Sequence, residues 1–192
     1  MTAPDPSGRG VVASVRQALQ DVWPDEIGWI KTHGTGTRLN DAAEYRGLAA
    51  LFGERLREIP LTSLKPMLGH CLGACGAVEA VAAILALGRG FIPRTLGTGS
   101  VDPEFAGCRV ATRVESRLAE TILLLFESFG GRCAALAVGR GQVGSDRGRN
   151  GTAGARTRPP SRRGPIPPLA PRLQRLGPEP DAPPASPHQP LN

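Results

Sequence analysis

The chain has 192 residues, of which 40% are hydrophobic, and a formal charge of +6, enough apolar material for one folded domain of ordinary size. Residues 1–139 balance 14 Lys/Arg against 14 Asp/Glu, whereas residues 140–192 carry 9 Arg, 3 acids and 12 of the 19 prolines. The basicity therefore belongs to the C-terminal segment, which has no aromatic interleaving and no nucleic-acid-binding module, so no nucleic-acid partner is read from it.

In chain order, residues 1–10 are rich in Pro, Gly and Ser and read as a loop, not as a targeting signal. Val11, Val12, Val15, Leu19 and Val22 make a helical stripe that Pro24 closes. Ile27 to Thr32 is a short β-prone run that delivers His33 into the turn His33-Gly-Thr-Gly-Thr37. A strand end beside a Gly-rich turn is where α/β folds place their chemistry. Asn40 or Asp41 is expected to cap a helix running to Phe52, with Tyr45, Leu48, Ala49 and Phe52 on one face. Pro60 to Leu64 reads as a second strand, followed by a loop through Lys65, Pro66, Gly69 and His70.

Pro66 and Gly69 argue against helix before His70, which is expected at the first turn of an apolar helix ending near Leu87. That helix is apolar enough to suggest a membrane span, but it is slightly short and is interrupted by Glu79 and two glycines, so no span is assigned. It is expected to lie inside a protein core, between layers the chain does not all supply. Residues 88–107 read as a long connection, Cys108 to Val114 as a weak strand, and Thr121–Phe126 with Cys133–Val138 as a hairpin around Glu127-Ser-Phe-Gly-Gly-Arg132. The order implies a layered α/β unit over residues 1–139. The segment 140–192 cannot bury enough apolar surface to offset chain entropy and is expected to be a disordered tail.

Cys71, Cys75, Cys108 and Cys133 form no CxxC pair and no zinc-ligand spacing, and are read as reduced thiols of a cytoplasmic protein. Cys71 and Cys75 are expected to fill core space. The chemistry gathers instead on His33, Asp41, Glu44, Lys65 and His70. Asp41 and Glu44 share a helix face, and a buried Lys65 would take one of them as its partner. Each residue alone is compatible with a surface charge pair or an ordinary polar histidine; together, beside Gly-rich turns, they point to a site. A zinc or non-haem iron site from His33, Asp41, Glu44 and His70 has suitable ligand types, but the carboxylates have a better use with Lys65, and no metal is assigned. Neutral histidines that donate N–H bonds suit stabilisation of a developing oxyanion.

His33-Gly-Thr-Gly-Thr, Asp41 and Glu44, Ser63-Leu-Lys65 and Gly69-His70-Cys-Leu-Gly-Ala-Cys-Gly-Ala-Val-Glu79 together resemble the β-ketoacyl synthases over roughly Thr2 to Gly139. The resemblance implies a thiolase-like fold, of which this is part of the C-terminal half, an α/β layering with a mixed sheet. It implies decarboxylative condensation of an acyl thioester with a malonyl unit, both carried on the phosphopantetheine of acyl carrier protein, with no further cofactor. By position, His33 and His70 match the two histidines that donate to the malonyl thioester carbonyl, and Lys65, paired with Glu44, matches the structural lysine. Thr35 and Thr37 match the threonines that contact the pantetheine arm, and Phe129 is the candidate for the phenylalanine that gates the acyl pocket. Two departures accompany the match. Glu127 replaces a polar amide in a loop shorter by two residues, and the cysteine nucleophile of the family belongs to a preceding half. The chain is accordingly expected to be inactive alone. The remaining alternative is a non-catalytic partner that pairs with an N-terminal synthase half or a ketosynthase-like subunit, or binds carrier protein.

Overall fold

The computed structural model describes residues 3–140, except Asp21, Trp23 and Leu118. The expected tail, beyond Arg140, lies outside the described residues. Seven strands and four α-helices follow in the order α1 (Arg9–Ala18), β1 (Ile27–Lys31), α2 (Arg38–Phe52), β2 (Pro60–Thr62), α3 (Lys65–Leu68), α4 (Cys75–Arg89), β3 (Phe91–Ile92), β4 (Arg109–Val110), β5 (Glu115–Ser116), β6 (Thr121–Ser128) and β7 (Arg132–Gly139). Five of the strands form one mixed sheet in the order β4-β2-β1-β6-β7, and β3 pairs with β5 separately. Within the large sheet β4, β2, β1 and β6 are parallel and β7 closes the edge antiparallel to β6.

The alternation of β6 sorts the core into two layers. Leu123 and Leu125 point with Ile27, Ile30 and Leu61 toward α1 and α2, against Val11, Val15, Leu48 and Phe52. Ile122 and Leu124 point with Trp29 to the other face, against Ala83, Ala86 and Leu87 of α4. Ile27 and Ile30 share a face despite their odd spacing because the β1–β6 register shifts between Ile27 and Trp29. The helices on the first face approach closely because Gly47 has no side chain: a Cβ there would stand 2.7 Å from the Cβ of Val11.

Several expectations are corrected. α2 begins at Arg38 with Thr37 as its N-cap residue, so neither Asn40 nor Asp41 caps it. Helix does precede His70: Pro66 sits in the first turn of α3, where its missing N–H has no intrahelical partner to lose, and Gly69 at φ 77° ends the turn. α4 begins only at Cys75, five residues beyond His70, after a 3-10 turn over Leu72–Ala74. His70 is therefore outside the first turn of that helix. The hairpin is as expected but longer, with Glu127, Ser128 and Arg132 all paired in it.

α4 is buried along one face only. Glu79, Ala83, Ala86 and Leu87 face the sheet, while Val78, Val81, Ile84 and Leu85 are exposed. Leu72–Arg89 has the length and mean hydropathy (1.6) of a membrane span, yet a buried carboxylate, Glu79, sits within it. The helix is thus core on one side, and its other apolar side is without cover among the described residues.

Leu124 has no exposed surface and sits between the sheet and α4. Leu124→Ala is expected to cost about 2–5 kcal/mol in urea denaturation.

Candidate active site

β1 and β2 are adjacent parallel strands, so their C-terminal ends release the His33 turn and the Lys65–His70 segment side by side. Gly34 makes the close approach possible. It adopts φ 46°, and a Cβ there would lie 2.7 Å from the Cβ of Ser63. Ser63 Oγ donates to the Gly34 carbonyl at 2.7 Å, and Thr32 N donates to the Thr62 carbonyl at 2.9 Å. The two loops are thereby stitched together, and the rings of His33 and His70 meet edge to face, 5.5 Å apart.

Beneath them lies one carboxylate. Glu79, 1% exposed, reaches up from α4. Its Oε1 accepts from Lys65 Nζ at 2.8 Å and from the Cys75 thiol at 3.0 Å, and its Oε2 accepts from Lys31 Nζ. Lys31 also donates to the Leu125 carbonyl at 2.6 Å and lies 3.9 Å from the centre of the Phe126 ring. Lys65 donates in addition to the His33 carbonyl and faces His33 Nδ1 at 3.2 Å. Each ammonium thus has three interactions, and both are buried. Burial pushes Glu79 up, but its three donors together hold the carboxyl below its ordinary range.

The expected Lys65–Glu44 pair does not form. Glu44 turns both oxygens to backbone N–H groups, of His33 at 2.6 Å and Gly34 at 2.9 Å. The reason is position: Glu44 is buried in α2 on one side of the His33 turn, and Lys65 reaches Glu79 of α4 instead. Burial raises the Glu44 carboxyl to about 7 against the pull of those two N–H groups. Asp41, partly buried, is also raised by burial, and Asn40 donates to it at 3.3 Å.

These contacts fix which nitrogen of each histidine carries its proton. An ammonium only donates, so His33 Nδ1 facing Lys65 must accept and the proton sits on Nε2. Burial, then the charges of Lys65 and Lys31, push His33 down to about 3, and it is neutral at physiological pH. His70 reaches the same tautomer by a different device: its Nδ1 accepts the backbone N–H of Leu72 at 3.1 Å. Leu72 is held at φ 47°, the one non-glycine residue with positive φ among the described residues. His70 itself is exposed, whereas His33 is 5% exposed.

Beside His70 opens a cavity of about 550 Å³, lined by Thr35, Asp41, Tyr45, Lys65, His70 and Phe105 among others, His33 itself not being part of its wall. The Thr35 hydroxyl, on the cavity wall, stands 2.8 Å from that of Thr37, and the pair is exposed. Phe129 is 77% exposed at the tip of the β6–β7 hairpin and is not part of the cavity wall. Glu127, raised to about 8 by burial and by Glu44 and Asp41, lies on β6 opposite Cys133. Cys71 is exposed, contrary to its expected place in the core, and faces the Leu68 and Gly69 carbonyls; Cys75 is buried as expected. Burial raises Cys75, Cys108 (to about 11) and Cys133 (to about 12), so these three are thiols, not activated thiolates. Among the described residues no three His, Cys, Asp or Glu side chains converge as a metal site.

Lys31 is not singled out in the sequence, and Glu79 stands there only as the end of a motif and as an interruption of the apolar helix, not as a partner of lysine. The signal was present: each is a lone charge within an apolar strand or helix, and such a charge needs a buried partner.

Residues 1–98 match the β-ketoacyl synthase C-terminal domain. The chain is 34% identical over 139 residues to 3-oxoacyl-[acyl-carrier-protein] synthase 2 of Synechocystis sp., covering 71% of this chain and 33% of that protein. It is 34% identical over 142 residues to the ketoacyl synthase alpha subunit of the tetracenomycin polyketide synthase of Streptomyces glaucescens, covering 73% of this chain and 33% of that protein. The chain thus spans about a third of the length of the curated relatives it matches. Among solved structures it is similar to a ketosynthase in complex with its type II polyketide acyl-carrier protein and bound to a hexaketide, with TM-score 0.70 and 28% identity over 74% of this chain and 35% of that one.

The shifts carry opposite signs in stability. His33 is depressed below its ordinary 6.5, so its contribution is present above that pH and is lost as pH falls toward 3. Glu44 is raised above 4.5, so its contribution is present below that pH and is lost as pH rises through about 7. In urea denaturation from pH 3 to 8, His33→Gln should flatten the acid side of the parent's profile, and Glu44→Gln the slope between 4.5 and 7.

Proposed function

The chain belongs to the β-ketoacyl synthase family, and from that membership we propose that it supplies the decarboxylation half of a condensing site in fatty-acid or polyketide synthesis. The observation that carries this reading is the matched tautomer of His33 and His70, each engaged through Nδ1 and leaving Nε2–H to donate.

The malonyl unit arrives on the phosphopantetheine of an acyl carrier protein, with Thr35 and Thr37 along the arm. As the carboxylate leaves as carbon dioxide, the electrons of the broken C–C bond pass to the thioester, and charge develops on its oxygen. His33 and His70 donate to that oxygen. Because both are preplaced, no reorganisation is needed as charge appears, and bonds that strengthen with charge lower the barrier instead of merely tightening substrate binding. The enolate carbon then attacks an acyl thioester held on a cysteine, the acyl C–S bond breaks, and the thiolate departs.

The environments of Cys75, Cys108 and Cys133 argue against a nucleophile among them, and the Cys71 thiol faces the Leu68 and Gly69 carbonyls. In this reading the nucleophile comes from a further portion of polypeptide. The exposed Val78, Val81, Ile84 and Leu85 of α4 are the surface such a portion would cover, since an apolar helix face of this kind marks an interaction site. The same thiol environments favour a second reading, a carrier-protein-binding subunit that does not turn over.

The test is reconstitution in the cytoplasm of a bacterial host. The chain alone is expected to give no β-ketoacyl product with acyl and malonyl carrier proteins. Co-expression with a polypeptide bearing the nucleophile portion of a relative should restore it, and His33→Ala or His70→Ala should then lower kcat about 10²–10³-fold. Product from the chain alone, or indifference to both substitutions, would contradict the proposal; carrier-protein binding without turnover in any combination would favour the second reading.

A further inference from the structure

We propose that Lys31 is a positioning residue of this site: by claiming one oxygen of Glu79, its buried ammonium leaves two lysines sharing one carboxylate, so that the Lys31–Glu79–Lys65 cluster carries a surplus positive charge beside His33. The proposal rests on the decarboxylation reading above and adds to it an electrostatic role for a residue that touches no substrate.

The geometry carries it. Lys31 has no exposed surface, sits on β1 two residues before His33, and is tied to α4 through Glu79 and to β6 through the Leu125 carbonyl and the Phe126 ring. Lys65, from α3, takes the other Glu79 oxygen and turns a further N–H toward His33 Nδ1. Were Glu79 to serve Lys65 alone, the pair would be neutral and Nδ1 would face a compensated ammonium. With Lys31 in place, one carboxylate answers two ammonium groups. The other acids in reach of these lysines are Glu44, which directs both oxygens at the N–H groups of His33 and Gly34, and Asp41 and Glu127; burial pushes all three toward the neutral acid, and His70 is the remaining titratable neighbour of His33. A buried cluster of two ammonium groups and one carboxylate disfavours imidazolium at His33. It also favours an anion arriving in front of the histidines, which is the charge an enolate develops.

The experiment reads His33 and not turnover, so it separates this proposal from the assignment of function. In the 192-residue chain with ¹³C-labelled histidine, the His33 ring is followed from pH 3 to 8 in the parent, in Lys31→Met, and in Lys31→Met/Glu79→Gln. Removing Lys31 takes away a repulsion and leaves Glu79 to Lys65, so the His33 titration should move up, with at least about tenfold more imidazolium at a given pH. The double variant restores one unmatched ammonium and should bring the titration back down. An unchanged His33 titration in a folded Lys31→Met chain, or no return in the double variant, would overturn the proposal. Should Lys31→Met not fold, ¹⁵N-lysine spectra of the parent at pH 7 decide: a slowly exchanging ammonium at Lys31 supports it, and a neutral amine there overturns it.

Discussion

Glu79 is the junction on which the site is assembled. It projects from the buried face of α4, and its two oxygens gather a lysine from the end of β1, a lysine from α3 and the Cys75 thiol. β1 is thereby locked to α3 and α4, which follow it by more than thirty residues, at one point below the histidines. Breaking such a buried pair leaves an uncompensated charge in a low-dielectric interior, typically at about 3–5 kcal/mol. The cluster therefore makes the position of Lys65, and through it the His33 ring, a property of the core and not of a mobile loop.

The two histidines are then held by different means toward one chemical state. His33 is buried, and an ammonium fixes its tautomer; His70 is exposed, and a backbone N–H from a strained left-handed Leu72 does the same. Strain of this kind persists where the surroundings over-determine it, often at functional sites. Neither histidine needs a carboxylate partner. That is consistent with donors meant for an oxyanion, since a neighbouring carboxylate would favour the imidazolium.

Much of this was legible in the sequence because it is written in local pattern. The Gly-rich turn after an apolar strand, the α2 face and the β6–β7 hairpin follow from periodicity and turn chemistry and stand in the structure; the helical stripe expected from Val11 to Val22 stands only in its first part, since α1 ends at Ala18 with Leu19 as its C-cap and not at Pro24. What escaped depends on which elements meet in space. Glu44 and Glu79 are both candidate partners of Lys65 in a linear reading, and only the placement of α2 and α4 on opposite faces of the sheet decides that Glu79 takes the lysine. α3 is hidden in a linear reading because Pro66, a helix breaker in an interior, is harmless in a first turn, and the start of α4 is displaced to Cys75 by the 3-10 turn over Leu72–Ala74. Phe129, a gate candidate by its place in the motif, is carried to the exposed hairpin tip by the tight Gly130-Gly131 turn. The excess apolarity of α4 was legible and correct in kind: one face is core, and the other has Val81 and Leu85 more than half exposed.

The central claim is that His33 and His70 are both Nε2–H donors. Two-dimensional ¹⁵N spectra of the imidazole rings, recorded near pH 7, distinguish the two tautomers and the imidazolium directly. The structure requires both rings to show a proton on Nε2 and an unprotonated Nδ1. A proton on Nδ1 of either ring, or an imidazolium at His33, would contradict the account.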